Sequence, residues 1–578
     1  MPAAPGVNQE RRTIRLRVAL IVLGAVLLVA TLAVSNSALE RSLRGDATGA
    51  LSWGPSLFRG LIAFHALLLL LLGIRGLRRA EDNGAVPAYR EPHQTRRFPW
   101  VIIATLSLVA LVLRLWKLES DLWIDEILTL VDFVRPPLGE IVTSFASQNQ
   151  HMLYSMLAHV SIDVFGESAW ALRLPSVVFG VGSLWALFLL GRRVVGTREA
   201  LLACALMTVS YHHLWFSQNA RGYMGLLFFS TLSTWFWLEA LARAGRWWVY
   251  YALSITLGMW THLTMAFVVT AHLLVYLTLF VFTRWDGGLV RARVSNASTR
   301  WHAVLAWLLS VTSTLQLYAL AFPQFLREAF GEVSLESEWT NPLWVLSESL
   351  RSLQVGFSGI AVVLAGMMLV GSGWWSILRR DFAAAASMTA PAIICGVSML
   401  ALGHNMWPRF FFFSMGFALL IVVRGAMVIP QAVLSRVGVA PPWQGLAGAG
   451  LATLMIAASA SSLPRYYTVP KQDFTGARDF VEENLEADAA VVAVGLAGMA
   501  YGRYYAPDWL VPQNRLELDE IRRTHPSLWL VYTLPIQLRA FHPETWDVID
   551  ADFEVVRFFP GSLGDGEVFV CRERPGKE

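Results

Sequence analysis

The residues best suited to chemistry in this chain are two adjacent carboxylates in Leu122-Trp123-Ile124-Asp125-Glu126-Ile127-Leu128-Thr129, just beyond an apolar run. Carboxylates beside a membrane interface are costly unless they are solvated, paired or used. Held in a partly dry aromatic and aliphatic setting, Asp125 suits a general base that takes a proton from a hydroxyl or amine. Glu126 points elsewhere on either a helix or a strand, so it supports Asp125, at the acceptor or by positioning the loop. A solvated acidic loop is the competing reading.

Three arginines are expected near the same side: Arg173, Arg221 in Ser217-Gln218-Asn219-Ala220-Arg221-Gly222-Tyr223, and Arg409 in His404-Asn405-Met406-Trp407-Pro408-Arg409. A guanidinium offers paired donors to a phosphate, and a lipid phosphate leaving group is one such partner. Each alone also fits an interfacial side chain or an ion pair with an outer-loop acid. His151, His262 and the pair His212-His213 fall at the same ends and could hydrogen-bond sugar or phosphate oxygens, although a lone interfacial histidine is commonly structural. Tyr223, which closes the Arg221 motif, is grouped with them as a substrate contact. No spacing matches a zinc helix motif and no glycine-rich phosphate loop is present, which speaks against a nucleotide site. No cofactor is required; the acids near Asp125 leave a divalent metal open.

The elements that must hold these residues are membrane helices. Hydrophobic residues make up 55% of 578 and charged ones only 15%, and the mean hydropathy is +0.49; that is too apolar for a soluble chain of this length. Apolar runs of crossing length predict about thirteen helices: near 18–34, 57–73, 100–116, 174–190, 200–217, 223–242, 248–264, 266–283, 301–321, 356–374, 383–402, 410–423 and 446–459. Arg11, Arg12, Arg15 and Arg17 precede the first, with no convincing small-residue cleavage site after it, so a retained helix is expected. Alternate connections are rich in arginine and assign the cytoplasmic side; those between them carry Glu119, Asp121, Asp125, Glu126, Asp132 and Glu140, later Glu328, Glu332, Glu336 and Glu338, and face outward. The N-terminus is then cytoplasmic and the C-terminal segment extracytoplasmic, in a multi-pass protein of the plasma (cytoplasmic, inner) membrane. The net charge of +4 implies no nucleic-acid partner. Cys204 and Cys395 lie in apolar spans and Cys571 in the polar tail, so no pair is placed for a disulfide.

Three regions are expected. Residues 1–98 hold two helices and a cytoplasmic linker. Residues 99–462 form the catalytic core with a long outer loop, 117–173, in which 138–146 and 151–165 read as helices lying along the membrane surface. Residues 463–578 form a small soluble α/β domain, with a helix over 471–486 and strands at 489–494, 527–534 and 568–571.

The order Trp123-x-Asp125-Glu126-x-x-Thr129, Asn149-Gln150-His151, Phe165-Gly166-Glu167-Ser168, Ala171-Leu172-Arg173-Leu174-Pro175-Ser176, Gly191-Arg192-Arg193 and Ser217 to Tyr223 resembles the GT-C membrane glycosyltransferases. Within them it is similar to the protein O-mannosyltransferase and lipid A aminoarabinose transferase group, well from Trp100 to Thr264 and more thinly beyond. Trp407-Pro408-Arg409-Phe410 and Lys471-Gln472-Asp473-Phe474 resemble later landmarks of bacterial members. The resemblance implies an all-α polytopic core and inverting transfer from a polyprenyl-phosphate sugar to an extracytoplasmic acceptor that is protein, lipid or envelope glycan. Asp125 would be the base, with Arg221, Arg409 and His262 as phosphate or donor contacts. The chain departs from bacterial relatives in having His151-Met152-Leu153 where they often have His-Pro-Pro, and in the two helices that precede the usual first one. The rival class is a flippase that moves a lipid-linked sugar without making bonds; it predicts charges well inside the spans and paired halves.

Overall fold

The computed structural model describes residues 5–45, 51–75, 98–281, 297–329, 360–402, 407–562 and 564–574. Each of the thirteen apolar runs overlaps a helix. Among the described residues seven helices are long and apolar enough to cross a membrane, or eight if one bent pair is a single span. Shorter apolar helices lie among them at Pro99–Leu115, Met152–Phe165, Met265–Val281 and Val362–Leu378. This is a multi-pass membrane protein. Glu332, Glu336, Glu338, His404, Asn405 and Met406 lie outside the described residues.

Burial separates a centre from a periphery. Of the Tyr223–Arg243 span 78% is buried, against 6% of Ile14–Ala33, which packs on Gly54–Arg75 at the edge of the bundle. The centre is filled by Phe188, Met224, Trp237, Trp248, Phe413 and Phe417, while Leu108, Val112 and Val178 face outward, as lipid-facing side chains must. With lipid as apolar as leucine, close backbone approach holds such helices together. Gly373 and Gly425 supply it, since a Cβ on either would overlap the facing helix backbone.

Two runs break. The 200–217 run divides into Thr197–Thr208 and Tyr211–Ser217. The carbonyls freed there are met by Arg114, fully buried in the Phe98–Leu115 helix, which donates to Thr208 O at 3.4 Å, Met207 O at 3.5 Å and Ser217 Oγ at 3.1 Å. Backbone groups inside a membrane protein need such partners. The helix over Ala297–Tyr318 turns by 88° into the strongly amphipathic Phe322–Ala329.

The C-terminal sheet comprises β1 (Ala489–Ala493), β2 (Ser527–Thr533), β3 (Phe553–Phe559) and β4 (Val568–Glu573), in the order β1-β2-β4-β3. β1 and β2 are parallel; β4 runs antiparallel to both β2 and β3. β3 is the strand the pattern did not reveal: it is an edge strand with five exposed residues between Phe553 and Phe559, so it lacks a buried alternation. Side chains alternate between two cores. Val492, Leu528, Leu530 and Cys571 pack with Leu518, Val548 and Ile549 inside the domain. Val491, Ala493, Trp529, Val531 and Val570 face the other way and share a core with Phe474, Val481 and the outer-loop residues Leu122, Trp123, Ile127 and Leu130. One of this domain's two cores is therefore shared with the acidic loop.

Candidate functional site

Asp125 lies in the first turn of a short helix, Ile124–Leu128, that continues as a wider π-type turn, Thr129–Val134. Irregular turns of this kind recur where a side chain must be aimed. The Thr129 hydroxyl donates to Asp125 O at 2.7 Å and closes the turn. The Asp125 carboxylate is mostly buried and meets two guanidinium groups at one oxygen: Arg221 Nη1 donates to Oδ2, and Arg409 Nη1 lies 3.4 Å from the same atom.

Arg221 sits in the tight turn between Tyr211–Ser217 and Tyr223–Arg243, where Ser176 Oγ donates to Asn219 O at 2.6 Å and Arg221 O at 3.2 Å. Its Nη2 donates to Asn149 Oδ1 at 2.7 Å and lies 3.4 Å from His151 Nε2. Gly222 lets this turn approach the outer loop, for a Cβ there would lie 2.7 Å from Thr261 O and 3.0 Å from His151 Cβ. The imidazoles of His151 and His262 stack with centroids 4.6 Å apart, and Tyr223 lies 4.9 Å from His262 and under the Arg221 guanidinium. Arg409 reaches in from a short 3-10 turn, Pro408–Ser414, with its guanidinium over Trp407.

Electrostatically this is a carboxylate set among positive charge and neutral imidazoles. Burial lowers the pKa of both His151 and His262; His262 and the two arginines depress His151 further, and Arg221 and Arg409 bring His262 to about 3. Both rings are uncharged at neutral pH and offer one donor and one acceptor each. The Nε atoms of Arg221 and Arg409 are buried and find no hydrogen-bond partner among the described residues. Buried donors are normally satisfied, so these two nitrogens, without a partner among the described residues, are open to a further acceptor.

Residues 150–287 match the family model of dolichyl-phosphate-mannose-protein mannosyltransferases. The resemblance drawn from the motifs is borne out over this stretch, which contains His151, Arg173, Arg221, Tyr223 and His262 but neither Asp125 nor Arg409. No curated protein sequence matches the chain. Among solved structures, apo ArnT from Cupriavidus metallidurans aligns at 14% identity and a TM-score of 0.49, over 83% of this chain and 99% of that one. The Archaeoglobus fulgidus oligosaccharyltransferase tethered with an acceptor peptide aligns at 10% identity and 0.47, over 82% and 74%. Arabinosyltransferase EmbB from Mycobacterium smegmatis aligns at 14% and 0.40, over 72% and 45%. The family match, and not these likenesses, supports the reading below.

Of the residues singled out in the sequence, Asp125, His151, Arg221, Tyr223, His262 and Arg409 converge. Glu126 and Arg173 do not join them. Glu126 is fully buried and faces away from Asp125, accepting from Arg173 Nε at 2.8 Å, Arg173 Nη2 at 2.6 Å, Ala220 N at 2.7 Å and Lys471 Nζ at 3.3 Å. Burial pushes its carboxyl up, but Arg173 and Lys471 outweigh that and hold it at about 2. Arg173 spends its remaining donors on Leu118 O, Ser120 O, Ser120 Oγ and Asp121 O. No donor is left for a substrate phosphate, so Arg173 is a structural cation and Glu126 positions the loop. His213 lies apart, fully buried against Arg114 and Ser183.

A cation at Asp125 would face two guanidinium groups, and no group of three or more metal-ligating side chains occurs among the described residues. Asn149 is the contact that typing by charge missed, although it stands in the Asn149-Gln150-His151 motif.

Proposed function

We propose that this protein is a membrane glycosyltransferase that transfers a sugar from a polyprenyl-phosphate donor to an extracytoplasmic acceptor, with inversion, and that Asp125 is the general base. The observation that carries the reading is the carboxylate of Asp125 held against Arg221 and Arg409, each with a buried Nε that has no hydrogen-bond partner among the described residues. The matched family is described by a lipid phosphate-linked mannose donor; this chain's sugar and acceptor are left at the level of class.

In the reaction the acceptor oxygen or nitrogen attacks the anomeric carbon as Asp125 takes its proton. The bond from that carbon to the phosphate oxygen breaks, and the electron pair leaves with the polyprenyl phosphate. Charge builds on the departing phosphate, and preorganised donors aimed there are commonly the largest catalytic term. Arg221 and Arg409 have that role, while Asn149, His151, His262 and Tyr223 hold the sugar and phosphate oxygens. Before the donor arrives the two guanidiniums occupy Asp125 Oδ2. A phosphate drawing them to itself frees that oxygen for the acceptor proton, so donor binding precedes acceptor activation. A flippase needs no base. Purified protein in lipid vesicles, given labelled polyprenyl-phosphate sugars and cell-envelope acceptors, tests the proposal: label reaches the acceptor only with an intact Asp125. Donor crossing the bilayer without transfer would favour the flippase.

A further inference from the structure

We infer that the C-terminal segment is a working part of the active site: Lys471, with Gln472, Thr475 and Tyr505, positions the loop that carries Asp125.

The contacts run along the loop almost residue by residue. The Asp121 carboxylate accepts from Thr475 N at 2.8 Å and Thr475 Oγ1 at 2.9 Å. Leu122 N donates to the Tyr505 hydroxyl at 2.7 Å, which donates back to Leu122 O at 3.0 Å. Ile124 N donates to Gln472 Oε1 at 3.0 Å, and Gln472 is itself fixed through its Nε2 to Thr533 Oγ1 at 2.9 Å, on β2. Lys471 Nζ then reaches Glu126 Oε1 and the carbonyl of Gln218, 5.0 Å from the Trp215 ring centroid. Four anchors, at 121, 122, 124 and 126, come from the tail, and Asp125 between them turns towards Arg221 and Arg409. A buried backbone turn with unmet N–H and C=O groups would not hold its shape without such partners.

Lys471 matters most because it links the two halves of the site. Glu126 accepts from Lys471 and from Ala220 N, the residue before Arg221, while Lys471 also donates to Gln218 O in the same turn. Burial lowers the Lys471 pKa to about 7 against the opposing pull of Glu126, so nature has placed an expensive group in a dry junction where a hydrocarbon would fill the space. The Arg221 turn has separate support from Ser176, and Arg409 from its own 3-10 turn. Losing Lys471 therefore disturbs the base more than the phosphate contacts.

This inference rests on Asp125 as the base, and its test has one arm that does not. Hydrogen exchange over Asp121 to Leu128 is compared in full-length wild type, Lys471→Met, Thr475→Val and Arg522→Gln, the last of which removes an ion pair to Asp552 and Glu573 within the domain. Exchange there rises at least tenfold in Lys471→Met and less in Thr475→Val, and is unchanged in Arg522→Gln. In transfer assays Lys471→Met lowers kcat about tenfold or more, since a misplacement near 1 Å costs up to about 10²-fold, with the donor KM within threefold. Should Lys471→Met not fold, Thr475→Val against Arg522→Gln decides the same question. Wild-type exchange with wild-type kcat in the folded variants overturns the inference, as does an equal loss in Arg522→Gln. A wild type that transfers no donor sinks the enzyme reading, while the exchange arm still decides whether the tail holds the loop.

Discussion

A carboxylate with one oxygen engaged by two guanidinium groups becomes a stronger base when something draws those groups away. Asp125 and the donor phosphate compete for Arg221 and Arg409, and the competition can be measured. Asp125→Asn should lower transfer by about 10²- to 10⁴-fold, the span that a positioned base supplies, yet bind polyprenyl phosphate more tightly than wild type; titration of tryptophan fluorescence with the lipid phosphate reads this. Weaker binding would mean that Asp125 organises the arginines instead of masking them. Arg409→Gln removes a charged donor worth about 1.5–3 kcal/mol and should raise the donor KM about tenfold or more. Because guanidiniums stand where a metal would, chelation by EDTA should leave transfer unchanged; a loss restored by one divalent ion would contradict the site's chemistry. Arg221 and Arg409 were legible in the sequence because each is a cation on the side where cations are unexpected, and Asp125 because it stands beside a second carboxylate in an apolar setting. Arg173 was misread on the same logic. Nothing in its local sequence shows that Leu118, Ser120, Asp121 and Glu126 would consume its donors.

At the scale of elements, the buried Glu126–Arg173–Lys471 group ties together the outer loop, the first turns of the Ala169–Val194 helix and the start of the C-terminal segment. Arg173→Met leaves Glu126 buried with one cation fewer and should cost about 3–5 kcal/mol, as breaking a fully buried pair does, read as a fall in thermal midpoint in detergent. The group also sets a pH dependence. Unfolded, Lys471 holds its proton to about pH 10.5, and folded only to about 7. Between those values the unfolded chain binds more protons, so stability rises with pH and the gain is gone below about 7. Midpoints at pH 6.5 and 9 should show that rise in wild type and a smaller one in Lys471→Met; equal rises would place the titration elsewhere. The helices were legible because apolar runs of crossing length have few other solutions in a membrane. The break at Val209 and Ser210 was not, since it depends on Arg114 arriving from another helix, 94 residues away in sequence from the Thr208 carbonyl it meets. β3 was not either, because an exposed edge strand has no period to read.

At the scale of the whole molecule, the site lies where the outer loop, the ends of several central helices and the C-terminal segment meet, and the family match reaches only the middle of that assembly. Sequence reading drew three regions with boundaries near 98 and 463. It could not show that the third region shares its core with the loop of the second, because Phe474 and Leu122 declare only that they are apolar. The first helix packs on Gly54–Arg75 at the rim, and Arg44 reaches Thr143 and Glu140 of the outer loop. The central claim is that this assembly makes an O- or N-glycosidic bond from a lipid phosphate sugar with Asp125 as base. The most direct measurement is single-turnover transfer in reconstituted vesicles, wild type beside Asp125→Asn, with a panel of labelled polyprenyl-phosphate sugars and an envelope acceptor pool. Label moved by the wild type and not by a folded variant that still binds polyprenyl phosphate is the predicted result; transfer at comparable rates by both would contradict it.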